Sequence, residues 1–201
     1  MGLSFSPDAS ILIQAALMGR VYKPGEDSLM LLRHVMDRVE GLVLDMGTGS
    51  GVQAVSAASK PEVFRVVSVD IDPDAVEVAR RNAVETGVSE KIDFQVGDLF
   101  EGLGDVLFDW IVFNPPYLPS EGDADEASWS GGLDGSEVIT RFLHEALGYL
   151  RPDGGILILY SSLTDLDIAW VEELYRVEVL EELHLFYERL FCVLLRPLSP
   201  S

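Results

Sequence analysis

Short apolar runs recur along the chain, each closed by a turn signal, and amphipathic stretches separate them. The runs are "GLVLDM" (41–46), "RVVSVD" (65–70), "IDFQV" (92–96), "FDWIVF" (108–113) and "GILILY" (155–160), the last following a "RPDGG" turn. β-Branched and aromatic residues dominate them, so they read as strands; only IDFQV alternates, which leaves one of its faces less buried. Between them, helical periodicity predicts helices over roughly 26–37, 50–59, 73–86, 136–150 and 165–175. Pro73 with early acids marks the start of the third. Strands alternating with helices imply an α/β fold with a mostly parallel sheet. Residues 177–185 and 189–195 differ, being two strand-like runs in succession, and predict a closing antiparallel hairpin. The one long polar, glycine-rich loop is 118–135, a length usual for functional or mobile segments.

At 201 residues and 48% hydrophobic content the chain makes one globular domain. Its formal charge is −20, and its only lysines are Lys23, Lys60 and Lys91. That balance argues against tight binding to a phosphate backbone, which depends on Lys and Arg. It also suits a salt-rich cytoplasm, where screening is strong and acidity reports habitat, a halophilic one, before partner. Cys192, the single cysteine, lies in an apolar run and reads as a small buried hydrophobe. His34, His144 and His184 have no metal-ligand spacing, so no protein-bound metal is expected. The segment 9–18, "ASILIQAALM", lacks the preceding positive charge of a signal peptide, and no run has the length of a membrane span. The expectation is a cytoplasmic protein.

Chemistry gathers where the strands end. "LDMGTGSG" joins the first central strand to a helix and carries Gly47, Gly49 and Gly51, as a tight turn and close backbone approach to a ligand require. A dinucleotide fingerprint wants Gly or Ala at the sixth position, where this chain has Val52. Asp45, just before the glycines, would repel a pyrophosphate but attract the ammonium of a methionine moiety. S-adenosylmethionine is therefore favoured over NAD. Asp70, at the end of the next strand, can accept from both hydroxyls of a ribose. In "GDLF", Asp98 is placed to accept from an adenine amino group, with Leu99 against the ring. A plain strand-to-helix turn explains the glycines alone; it does not explain three acids at strand ends, where open α/β sheets bind ligands.

"FNPPY" (113–117) follows the fourth strand. Two prolines cannot continue a central strand, so they end it rigidly. Asn114 is either an ordinary turn residue or a polar tool held over the site.

The glycine loop, Asp70, "GDL" and "NPPY" together resemble the class I methyltransferases that modify planar amide or amino nitrogens. Within these, the chain resembles the HemK-type family that methylates the glutamine of the Gly-Gly-Gln loop of peptide-chain release factors. "VYKPGEDSLMLL" (21–32), "DIDPDAV" and "WSGGLDGSEV" (129–138) resemble its short archaeal and eukaryotic branch, although Asp72 stands where Asn is usual. The likeness spans roughly residues 20–196, leaving 1–20 as an extension before a single methyltransferase domain, 21–201.

The resemblance implies the class I fold, a mostly parallel seven-stranded sheet with a terminal antiparallel hairpin. It implies S-adenosylmethionine as cofactor, S-adenosylhomocysteine as product and no metal in this chain. Asn114 would accept one substrate N–H through its side-chain oxygen and also touch the cofactor. Pro115 would accept the other N–H through its carbonyl, and Tyr117 would pack on the amide plane. Pro116 and Trp129 would join the substrate wall, and Ser28 would contact the methionine end. Glu26 and Asp27 read equally as acids beginning a helix. Gly131 and Gly132 would shape a channel or belong to a mobile loop.

Only about 20 residues precede the match, so an N-terminal substrate-binding domain is not expected and something else must hold the release factor. The resemblance supplies a small zinc-binding activator subunit, forming a heterodimer; an exposed edge strand at Ile92–Val96 would invite it by strand addition. The rival readings are an N6-adenine nucleic-acid methyltransferase, a protein-lysine methyltransferase and a cofactor-binding scaffold.

Overall fold

The structure, a computed structural model, describes residues 25–116 and 136–198. The N-terminal extension, the loop 118–135, Tyr117, Trp129, Gly131 and Gly132 lie outside the described residues.

Seven strands form one sheet: β1 (Gly41–Met46), β2 (Val63–Asp70), β3 (Ile92–Val96), β4 (Phe108–Phe113), β5 (Leu150–Ser161), β6 (Tyr175–His184) and β7 (Arg189–Pro197). Their order is β3-β2-β1-β4-β5-β7-β6. The first five are parallel, and β7 runs antiparallel to both β5 and β6. The helices are α1 (Glu26–Arg38), α2 (Val52–Ala58), α3 (Pro73–Glu85), α4 (Glu137–Ala146) and α5 (Ile168–Leu174).

Alternation along the central strands feeds two cores. Val43, Trp110, Val112, Leu157 and Leu159 face α1 and α2 on one side, with Met30, Leu31, Val35 and Ala54 packed on them. Leu44, Ile111, Phe113, Ile156 and Ile158 face α4 on the other, against Ile139, Phe142 and Leu143. Both faces are covered, which is why these strands read as unbroken apolar runs. Cys192 is fully buried in the first core, and burial pushes its thiol up to about 12.

Several boundaries move from the sequence expectation: β2 begins at Val63, α5 at Ile168 and β6 at Tyr175, and three more shifts have a clear local cause. β5 begins at Leu150, not at residue 155, because Leu150 pairs with Phe108 and the "RPDGG" segment is drawn into the strand through a register irregularity. Gly155 is required there, since a Cβ would lie 2.8 Å from the Trp110 ring. α4 stops at Ala146, and α2 begins at Val52 after Gly51, whose φ of 79° lies in the left-handed region. The edge position of Ile92–Val96 is as the family resemblance implied.

Candidate active site

All the strand-end acids fall on one edge of the sheet, where the parallel strands finish. Asp45, in β1, is buried, and its Oδ2 accepts from Thr48 Oγ1 at 2.6 Å and from the Ala54 amide at 3.1 Å. Thr48 Oγ1 in turn accepts from Ser68 Oγ at 2.8 Å. Asp45 thus ties the glycine loop to the first turn of α2. Burial pushes its carboxyl up to about 7, against the lowering effect of those two hydrogen bonds. A buried carboxylate is costly unless a positive charge lies near it, so this position favours a positively charged ligand.

Asp70 ends β2. Its Oδ2 accepts from the Gly49 amide at 2.8 Å and its Oδ1 from the Asp72 amide at 3.0 Å. Each carboxylate oxygen has a second lone pair, which leaves one acceptor site per oxygen for the two hydroxyls of a ribose. Burial raises the Asp70 pKa.

The glycine loop is cradled from behind. A Cβ on Gly51 would lie 2.8 Å from Ala79 Cβ on α3, and Asn82, one turn further on, donates from Nδ2 to the Ser50 carbonyl at 2.8 Å. A Cβ on Gly49, with φ 55°, would meet none of the described residues within 4 Å. The loop is therefore fixed on its protein side and bare on the other, as backbone that meets a ligand should be.

Asp98 and Leu99 follow β3. Leu99 is the one described non-glycine residue with positive φ, at 50°, and it is buried. Such strain persists where the surroundings enforce it, commonly at ligand sites. Asp98 accepts from Arg141 Nη2 of α4 at 2.8 Å. Arg141 is a residue that the sequence reading passed over; its partner lies 43 positions away.

Asn114, one residue past β4, donates from Nδ2 to Asp27 Oδ2 at 3.0 Å and to Ser28 Oγ at 3.3 Å. A carboxylate can only accept, so the nitrogen must face Asp27, and the amide orientation is set. Asn114 Oδ1 is buried with no hydrogen-bond partner among the described residues. That is an orphaned acceptor, a costly state unless a ligand supplies the donor. Pro115 is buried behind it and Pro116 is exposed.

The turn that grips Asn114 is itself held. Gln53 Nε2 of α2 donates to the Ser28 carbonyl at 2.9 Å. Further along α1, Arg33 Nη2 meets Glu181 Oε1 of β6 at 2.5 Å and His34 Nε2 meets Glu181 Oε2 at 3.0 Å. Asp27 is thus a site residue rather than only a helix-starting acid. The available signal was its place on the apolar stripe of α1, one helical face with Leu31 and His34, all of them buried.

Asp45, Gly47, Gly49, Gly51, Asp70, Asp98, Leu99, Ser28, Asn114 and Pro115 therefore converge on the C-terminal edge of the sheet. Fold and site define a class I methyltransferase. The chain belongs to the methyltransferase small domain family, whose model matches residues 23–187. The residues fit the cofactor of that class, S-adenosylmethionine: a bare glycine turn, a ribose acceptor and acids for its cationic end.

A putative protein N5-glutamine methyltransferase of Methanocaldococcus jannaschii is 41% identical over 157 residues, 76% of this chain and 78% of the relative. A ribosomal protein uL3 glutamine methyltransferase of Bradyrhizobium diazoefficiens is 33% identical, over 85% of this chain and 60% of the relative. A release factor glutamine methyltransferase of Geobacter sulfurreducens is also 33% identical, over 78% of this chain and 55% of the relative. The chain thus spans only part of the length of these two bacterial relatives. Among solved structures, the E. cuniculi Mtq2–Trm112 complex, described as responsible for methylating the eRF1 translation termination factor, has a TM-score of 0.66 at 24% identity. That match covers 88% of this chain and 98% of that one. It bears on the fold.

Proposed function

We propose that this chain methylates the side-chain nitrogen of a glutamine in a protein, foremost the glutamine of the Gly-Gly-Gln loop of a class I release factor. The orphaned Oδ1 of Asn114, fixed by Asp27 and Ser28, carries the proposal. A primary amide is planar, and its nitrogen lone pair is delocalised into the carbonyl. Transfer needs that nitrogen held in line with the donor methyl. S-adenosylmethionine supplies the methyl on a sulfonium centre.

Asn114 Oδ1 accepts one N–H of the glutamine amide, and the Pro115 carbonyl accepts the other. Two acceptors aimed at one nitrogen orient it and draw its hydrogens aside, favouring pyramidal geometry; such positioning is worth up to roughly 7–11 kcal/mol in favourable cases. The N–H proton released on transfer passes to water, and no side chain is assigned as general base. Ser28 contacts the methionine end as well as Asn114, and Tyr117 and Trp129 complete the substrate wall. Asp70 holds the ribose; Asp98 and Leu99 hold the adenine.

The protein-glutamine reading is supported over the adenine one by the names of three relatives and by the net charge of −20, unfavourable for a nucleic-acid substrate. The enzyme works as a heterodimer with a small zinc-binding activator, as in the short archaeal and eukaryotic branch. The activator adds a strand to the free edge of β3 at Ile92–Val96, where Val96 is exposed.

Mass spectrometry after incubating the chain, activator and S-adenosylmethionine with a release factor tests the reading. The expected result is a gain of one methyl on the Gly-Gly-Gln glutamine. Methylation of uL3 alone, or of DNA, would reassign the substrate.

A further inference from the structure

The tip of the β6–β7 hairpin carries two adjacent aromatic residues that, among the described residues, are almost wholly exposed. Phe186 is 97% exposed and Tyr187 is 90% exposed, with ring centroids 5.8 Å apart. Isolated exposed apolar residues are ordinary; two neighbouring aromatic rings at full exposure are a patch that needs a partner.

The tip is built to stay in place. Leu185 N donates to the Glu188 carbonyl at 2.9 Å, closing the turn. The chain after β5 grips its base: Ser162 N donates to the Arg189 carbonyl at 2.7 Å, and Arg189 N donates to Ser162 Oγ at 3.0 Å. Ser161 Oγ also donates to the Glu188 carboxylate. A rigid support lowers the entropic cost of using the rings as anchors.

Register fixes where the rings stand. Phe113 pairs with Ile158, and Ser161 pairs with Leu190, so the hairpin turns beyond the same sheet edge at which Asn114 lies. Strand spacing and rise put the tip on the order of 20 Å from Asn114, at the same end of the sheet. The activator's proposed edge, β3, is at the opposite side of the sheet. The exposed acids Asp165 and Asp167 lie on the neighbouring loop, whereas Glu182 on the hairpin is paired with Arg189 at 3.1 Å.

We infer that Phe186 and Tyr187 form the docking point for the body of the protein substrate, seating on a surface with an apolar recess bordered by basic side chains. This rests on the proposed protein-glutamine activity. A loop reaching Asn114 leaves its parent domain over this sheet edge, and the rings hold that domain there.

The test is steady-state methylation of an intact release factor by the chain with its activator, comparing wild type with Phe186→Ser/Tyr187→Ser. Leu107→Ser is the control, exposed at the far end of β4. The double variant should raise KM for the protein substrate at least tenfold. Its kcat, its KM for S-adenosylmethionine and its activator content should stay within about twofold of wild type, as hot-spot loss outside the reacting centre predicts. An unchanged protein KM overturns the proposal. So does loss of the activator, or a change from dimer to monomer in light scattering, which would give the tip to another occupant. If wild type transfers no methyl to any protein, the functional reading itself falls and takes this proposal with it.

Discussion

Asn114 and Asp27 lie 87 positions apart in the chain, and the Asn114 side-chain nitrogen donates to the Asp27 carboxylate at 3.0 Å. One carboxylate at the start of α1 thereby decides which end of an amide at the end of β4 is left without a partner among the described residues. The oxygen, not the nitrogen, is left over.

Replacing Asp27 with Ala should release that constraint. The Asn114 amide could then rotate and offer N–H groups to a substrate that also brings N–H groups. A misplacement of this kind costs up to about 100-fold in rate. Single-turnover kinetics should show a fall of 10- to 100-fold in the transfer rate. Cofactor affinity measured by calorimetry should change far less.

How much of this was legible beforehand depends on the range of each interaction. The bounds of β1, β3 and β4 could be read directly, because local alternation and turn residues fix them. The order of the sheet and its free β3 edge followed from the family resemblance. The start of β5 was misread, because "RPDGG" carries every local mark of a turn. Pairing of Leu150 with Phe108 overrides it. For Asp27 a helix-starting acid and a role in the site read equally, since its partner Asn114 comes from a distant strand end. Asp98 was read as facing a ligand alone, and its pairing with Arg141 is equally non-local. Asp45 was legible as an acid at the glycine loop, but its second task, bonding Thr48 and Ala54, shows only in three dimensions.

Asp45 makes stability depend on pH. Its carboxyl titrates near about 7 in the folded chain against an ordinary value of 3.8. Folding therefore takes up a proton between these values. The stability linked to this group is complete below 3.8 and is lost as pH rises through about 7. Asp45→Asn keeps an oxygen for Thr48 and Ala54 but cannot ionise. Its stability relative to wild type, from urea unfolding, should rise from pH 4 to pH 8 by on the order of 4 kcal/mol. A difference independent of pH would contradict the assignment.

Gly51→Ala should damage the cofactor loop from behind. The new Cβ would sit 2.8 Å from Ala79 Cβ, at a φ of 79°. Overpacking and left-handed backbone together should cost about 2–5 kcal/mol. Thermal unfolding checks the loss, and cofactor affinity should fall with it. Gly49→Ala meets no atom of the described residues within 4 Å. Its added Cβ would intrude on the ligand side, so its effect should fall more heavily on cofactor binding than on packing.

Activator binding should protect the amides of Ile92–Val96 from hydrogen exchange. The amides of Glu178–Glu182, on the opposite edge strand, should be unaffected. Protection of β6 in place of β3 would move the interface to the other side of the sheet.

The central claim is that Asn114 Oδ1 holds the glutamine amide for transfer. Single-turnover methylation by Asn114→Ala, with the release factor and activator present and S-adenosylmethionine saturating, tests it most directly. Removing one fixed polar contact at a reacting centre typically costs about 100- to 1000-fold in rate, and a loss of that size, with cofactor affinity within a few-fold of wild type, is predicted. A transfer rate within threefold of wild type would contradict the account.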